Sequence, residues 1–175
     1  MTARRIRPAE RADIPVIQRI YAHAVRTGTA SFELDPPSEE TMCARWEAVR
    51  AAKGPYLVAE DEVVVGFAYA GLYRPRPAYA HTLESSVYVA PEHAGHGHGR
   101  ALMEALIAKA EGAGFRQMVA VIGDSDNRAS RRLHMALGFR EVGTFRDVGH
   151  KHGRWLDTVL MQRRLGPGAD IGPIA

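Results

Sequence analysis

Apolar residues recur at helical spacing from Ile14, with Ile17, Tyr21 and Ala24 on the same face, and predict a first helix capped by Asp13 with Pro15 in its first turn. A second helix is predicted from Ser38, where Glu39 and Glu40 complement the dipole and Met42, Trp46 and Val49 make the apolar stripe. Residues 29–37 read as the loop between them. The period then changes. Tyr56–Glu60 and Val63–Leu72 are β-rich runs around an acidic turn at Asp61 and Glu62, which predicts an antiparallel pair, and His81–Val89 reads as the next strand. Leu102, Ala105, Leu106 and Ala110 mark a helix over Arg100–Ala113, followed by a buried-looking strand at Gln117–Ile122. Asn127 opens a short helix that Gly138 closes, and strands near Arg140–Val148 and Trp155–Arg163 complete the set. A strand–helix–strand unit flanked by hairpin-like pairs predicts an α+β architecture, a mixed and mostly antiparallel sheet with helices against it.

With 175 residues and 46% hydrophobic content, the chain has material for one core, so residues 1–165 read as a single domain and 166–175 as a Gly/Pro-rich tail. The net charge of +3 suits an anionic small ligand, whereas no basic run with interleaved aromatics marks a nucleic-acid surface. Cys43 is the single cysteine, which excludes an intrachain disulfide and a cysteine-based zinc site. No stretch approaches the roughly 18 to 20 apolar residues that span a bilayer, and the basic start lacks an apolar run after it. The expectation is a cytoplasmic protein with no membrane or nucleic-acid partner.

The chemistry concentrates between Ser86 and Leu102, where a short strand leads into Gly95, Gly97 and Gly99 and then a helix. Glycines there let a phosphate reach main-chain amides at the positive end of the helix dipole, a cradle suited to pyrophosphate. Leu102 stands where a dinucleotide fingerprint would need a small residue, and no Walker lysine is present, although a nucleotide-binding α/β domain remains an alternative. His93, His96 and His98 raise the question of a metal. Side chains of a phosphate cradle are expected to turn outward, and no carboxylate-rich segment stands beside them, so no metal is expected. Taken singly, Glu84 reads as a surface glutamate or a base, His134 as a packing residue or a proton carrier, and Asn127 as a helix cap. Arg74 and Arg76 read as solvated arginines or as a carboxylate clamp.

The glycine turn and its helix resemble motif A of the GNAT superfamily of acyl-CoA-dependent N-acetyltransferases. Leu83–Val89, Asn127–Phe139 and Lys151–Asp157 with Gln162 are similar to the branch that acetylates phosphinothricin and methionine sulfone. The resemblance implies the GNAT fold, with a sheet splayed at the cofactor site, and acetyl-CoA as cosubstrate. It assigns the pantetheine arm to the backbone of Val87, Tyr88 and Val89, and the pyrophosphate to Gly95, His96, Gly97, His98, Gly99, Arg100 and Ala101. Asn127 and Ser130 are implied to support the cofactor, Glu84 to act as general base, and His134 to assist proton transfer or orient Glu84. Phe32, Arg74, Arg76 and Tyr79 are implied to contact the acceptor, a small amino acid analogue of the phosphinothricin, methionine sulfone or methionine sulfoximine type. Lys151, His152 and Trp155 fall at the same pocket or at a subunit boundary, and a homodimer is implied. Ala94 departs from the motif, which usually has Gln or Arg there, so backbone amides or Arg100 must carry more of the phosphate. Two alternatives remain open: an N-acetyltransferase of protein N-termini or other amines, and a CoA-binding regulatory module without turnover.

Overall fold

A computed structural model of the chain describes residues 5–173. Its strands are β1 (Arg5–Pro8), β2 (Tyr56–Asp61), β3 (Val63–Leu72), β4 (Thr82–Val89), β5 (Gln117–Gly123), β6 (Arg140–Lys151) and β7 (Arg154–Arg164). They form one sheet in the order β1-β2-β3-β4-β5-β7-β6. Only β4 and β5 run parallel; the remaining neighbours are antiparallel. The helices are α1 (Ile14–Thr27), α2 (Glu39–Ala51), α3 (His98–Gly112) and α4 (Arg128–Ala136).

Strand alternation sends neighbouring side chains to opposite faces, and each face is closed by different helices. On one, Ile17, Tyr21 and Val25 of α1 and Met42 and Trp46 of α2 pack against Tyr56, Val58 and Phe67. On the other, Leu102, Met103, Leu106 and Ala110 of α3 cover Leu57, Ala68, Leu83 and Met118, a core that continues to Phe139, Val159 and Met161. Glu84 and Tyr88 therefore share the α1/α2 side of β4, while Leu83, Val87 and Val89 belong to the α3 side.

Local signals account for most of the elements. Ser38 accepts the Thr41 amide at 3.1 Å and caps α2, and Asn127 accepts the Ser130 amide at 3.2 Å and caps α4. Gly97, at φ 81°, supplies the left-handed residue that starts α3 two positions earlier than the apolar stripe predicts. Asp13 departs from expectation. Instead of capping α1, its carboxylate accepts the Glu10 amide at 2.8 Å and the Arg7 guanidinium at 2.7 and 2.9 Å. Arg7 sits on β1, an edge strand that the sequence pattern does not predict because Ile6 stands alone among polar neighbours and Pro8. The last hairpin is also longer than predicted. β6 continues through Gly149 to Lys151 and turns at His152 and Gly153, both at positive φ (51° and 73°), as a tight two-residue hairpin loop requires. The tail folds back in turns, where the Arg164 guanidinium donates to the Pro167 carbonyl at 2.6 Å and Arg116 to that of Gly172 at 3.4 Å.

Leu106 is fully buried where α3 meets the sheet. Replacing it with Ala is expected to lower the unfolding free energy by about 3 kcal/mol, read as a reduced urea midpoint with unchanged slope.

Candidate active site

β4 and β5 pair only from Thr82 to Ser85 against Gln117 to Ala120. Beyond that point β5 stays with β7 as far as Gly123, and β4 stays with β3 as far as Val89. The sheet opens between them. The cleft is lined by Ser85, Ser86, Val87 and Tyr88 from β4, Ala120 to Gly123 from β5, Asn127, Ser130 and His134 from α4 and its cap, and Ala30 from the loop after α1.

The hydrogen bonds at the two ends of β4 show which groups face the opening. Tyr73 donates to the Thr82 carbonyl and the Ala90 amide to the Val65 carbonyl, both on the β3 side, while the His81 carbonyl accepts from Arg116 on the β5 side. With no slip in the β3–β4 register, even-numbered residues turn their amides and carbonyls to β3 and odd-numbered ones turn theirs toward β5. Val87 and Val89 thus present main-chain donors and acceptors to the cleft. Tyr88, expected beside them as a main-chain contact, is bonded to β3 instead, and its ring packs edge-on against Tyr21 at 5.0 Å on the opposite face.

At the end of the cleft lies the glycine loop. Gly95 and Gly97 both have positive φ (78° and 81°), and a side chain on Gly95 would meet nothing within 4 Å, so backbone conformation rather than crowding requires glycine there. The first intrahelical bond of α3 runs from the Ala101 amide to the Gly97 carbonyl at 3.1 Å, which engages Ala101 and leaves the Gly99 and Arg100 amides ahead of it at the helix start. Arg100 itself reaches back to Glu104 at 2.8 Å. His96 is exposed, but His98 turns inward rather than outward as the sequence suggests. Its buried ring lies edge-on to His93 at 5.9 Å, and Asp61 from the end of β2 brings a carboxylate oxygen within 4.8 Å of ring nitrogens of both.

Alongside the opening, α4 presents His134 and its neighbours. The His134 Nδ1 is 2.8 Å from the Ser130 carbonyl, so that nitrogen carries the proton and Nε2 is left as the acceptor. Burial pushes the imidazole pKa down and keeps the ring neutral, and Phe139 holds it edge-on at 4.9 Å. Ser130 Oγ lies 3.4 Å from the same Nδ1.

Glu84 is half-buried on β4, just before the strands part. Burial raises its pKa above the ordinary glutamate value, and the nearby Arg74 guanidinium opposes the rise. Arg74 stacks on Tyr73 with its guanidinium carbon 4.5 Å from the ring centre, and Tyr79 meets Tyr73 edge-on at 5.7 Å. The structure therefore brings Arg74 near Glu84 and links Tyr79 to it through Tyr73, while Arg76 stands at the entry to the short 3-10 turn Pro77–Tyr79; all three, Arg74, Arg76 and Tyr79, are exposed.

The loop after α1 carries Phe32 and is tied down by Lys151, which the sequence reading put at the pocket or a subunit boundary, and by residues it did not single out. Asp124 accepts from Thr29 Oγ1 at 2.9 Å, from the Asp126 amide at 3.0 Å and from Arg154. Burial pushes that carboxyl up, and the three bonds together hold it below the ordinary aspartate value. Ser31 shares a hydrogen bond with Tyr21 at 2.9 Å, and Lys151 donates to the Ser31 carbonyl at 2.7 Å. The Phe32 ring lies so close to Gly123 and Gly149 that a Cβ on either would stand 2.8 or 2.3 Å from it. Gly123 at the end of β5 and Gly149 beside the Lys151–Asp157 block are the sequence signals that could have marked this seat; nothing in the sequence marks Asp124.

Residues 17–139 match the acetyltransferase (GNAT) family model. Over 157 residues, 89% of this chain and 80% of the relative, the sequence is 56% identical to a phosphinothricin N-acetyltransferase of Alcaligenes faecalis. It is 42% identical, over 91% of this chain and 94% of the relative, to an L-methionine sulfoximine/L-methionine sulfone acetyltransferase of Salmonella typhimurium. A GNAT superfamily phosphinothricin acetyltransferase from Sinorhizobium meliloti, solved in complex with acetyl-CoA, superposes with a TM-score of 0.95 at 44% identity, covering 99% of this chain and 94% of that one. The splayed sheet, the glycine loop at its open end and these likenesses agree, and the chain belongs to the GNAT family of acetyltransferases.

Proposed function

We propose that the protein transfers the acetyl group of acetyl-CoA to the amino group of a small amino acid analogue of the phosphinothricin, methionine sulfone or methionine sulfoximine type. The observation that carries this reading is the opening between β4 and β5, where Val87 and Val89 offer strand-edge hydrogen bonds that lead to the glycine loop. An extended arm bearing amides fits such an edge as an added strand, and a pyrophosphate fits amides at a helix start. Acetyl-CoA supplies an activated acetyl thioester.

The remaining chemistry belongs to the chain. An α-amine is largely protonated at neutral pH and must lose a proton before it can act as a nucleophile. Glu84 takes that proton, directly or through one water, and partial burial raises its pKa above the ordinary glutamate value, which makes it a better base. The neutral His134 offers Nε2 as a second acceptor beside the cleft. Arg74 and Arg76 attract the acceptor's carboxylate, and Phe32 and Tyr79 give it apolar walls. The main-chain amide of Val89, which faces the cleft while that of Tyr88 faces β3, is the oxyanion donor.

The same reading takes residues 1–165 as one catalytic domain in the cytoplasm; among the described residues, no helix is long and apolar enough to cross a membrane. It also includes a second copy of the chain. Val142, Phe145 and Val148 on β6 and Trp155 on β7 are 56–63% exposed, an apolar stretch that a homodimer would cover.

Release of free thiol from acetyl-CoA with a panel of amines tests the assignment. Amino acid analogues should turn over, and binding of acetyl-CoA without release by any amine would leave only a CoA-binding module. Glu84→Gln should lower kcat by about a hundredfold or more, with the acetyl-CoA Kd unchanged. Arg74→Ala removes a positive charge that favours the Glu84 carboxylate, so the pKa of Glu84 rises. The acidic limb of the pH profile, below which the base is protonated and turnover fails, should then move to higher pH; a limb that stays put would separate Glu84 from the proton transfer.

A further inference from the structure

A lysine with 4% of its surface exposed is costly unless its ammonium is paired. Lys151 donates a hydrogen bond of 2.7 Å to a main-chain carbonyl 120 residues earlier in the chain, that of Ser31. This peptide group matters because the Ser31 carbonyl lies in one rigid plane with the nitrogen and Cα of Phe32. Fixing the carbonyl fixes where the Phe32 Cα stands, and the seat against Gly149 and Gly123 limits the remaining rotation about its N–Cα bond. Residues 28–38 contain no helix or strand that could do this from within.

The same strand end supplies the seat as well as the anchor. Gly149 and Lys151 are two residues apart on β6 and project from one face of it, and the Phe32 ring occupies the space where a side chain on Gly149 would be. The hairpin is held in register here, with Gly149 opposite Leu156 and Lys151 opposite Arg154. Glu33, next along the loop, adds a negative charge that favours the ammonium while burial disfavours it. We propose that Lys151 is a positioning residue for the transfer reaction, holding the Ser31 carbonyl so that Phe32 stands as a fixed wall of the acceptor site. This inference rests on the reading of Phe32 as an acceptor contact.

The test is a double-mutant cycle on kcat/KM for the amino acid acceptor with Lys151→Met, Phe32→Ala and both together, alongside acetyl-CoA Kd and thermal melts. Lys151→Met should raise the acceptor KM about tenfold, with kcat and the acetyl-CoA Kd changed less than about twofold. In the Phe32→Ala background the same substitution should add less than about twofold, because its effect passes through the ring. Multiplicative effects in the cycle overturn the inference, since a lysine that only stabilises the fold would act independently of Phe32. Lys151→Gln, which keeps a donor, is measured beside Lys151→Met and takes its place in the cycle if Lys151→Met does not fold. Unfolding of both variants makes Lys151 a folding residue and also overturns the inference. If Phe32→Ala alone leaves the acceptor KM unchanged, the acceptor-wall reading itself fails, an outcome distinct from a Phe32 effect that Lys151→Met does not share.

Discussion

Strands share hydrogen bonds only while their separation stays near about 4.8 Å, and β4 and β5 hold that distance for four paired residues before each follows a different partner. Neither strand can close the gap, because β4 is committed to β3 and β5 to β7 along their remaining lengths. The odd-numbered peptide groups of β4 are thereby left with an edge and no strand to fill it. Backbone groups of this kind are met by water or by a ligand, and on the proposed reading an extended arm with amides of its own takes that place. Its position also sets the rest of the site. Glu84 lies one residue before the last paired position, and the chain leaving Val89 runs through a short turn into the glycine loop.

The two titratable groups beside the opening are tuned by different balances. His134 is driven toward the neutral form by burial, and the Ser130 carbonyl fixes which nitrogen holds the proton. Glu84 is more exposed, so its shift is a contest between burial and the charge of Arg74. A cationic acceptor amine entering near Glu84 would meet a carboxylate on one side and Arg74 on the other. That arrangement favours an acceptor carrying its own carboxylate over a simple amine or a polycation, since the carboxylate offsets the guanidinium.

How far the sequence could be read follows from whether a feature is local. The α2 and α4 caps at Ser38 and Asn127, the glycines before α3 and the alternation along β3 and β4 depend on a few neighbouring residues, and the family resemblance rests on short blocks too, the glycine turn, Leu83–Val89, Asn127–Phe139 and Lys151–Asp157 with Gln162. Three features needed distant partners. β1 forms because Arg5–Pro8 has β2 to pair with and Arg7 has Asp13 and Glu60, none of which shows in a run with one isoleucine. Which residues of β4 face the cleft depends on the β3 register, so Tyr88 could not be distinguished from its flanking valines. The inward turn of His98 depends on Asp61 and His93 as neighbours, where a loop considered alone suggests an outward side chain.

On the proposed assignment of residues, the site has two sides of unlike construction. Its cofactor side comes largely from a continuous segment, β4 through the start of α3, with support from α4 and its cap. Its acceptor side is assembled from the loop after α1, the β3–β4 connection, the end of β5 and the β6–β7 hairpin, joined by Lys151 to Ser31, Asp124 to Thr29 and Arg154, and the ring of Phe32 on two glycines. Contacts that share no partner respond independently to substitution. Changes at the hairpin can therefore move the acceptor wall while leaving the amides of Gly99 and Arg100 and the open edge of β4 in place. On that assignment one cofactor cradle would serve acceptors of different shape, with the choice among them made by residues more than a hundred positions apart in the chain.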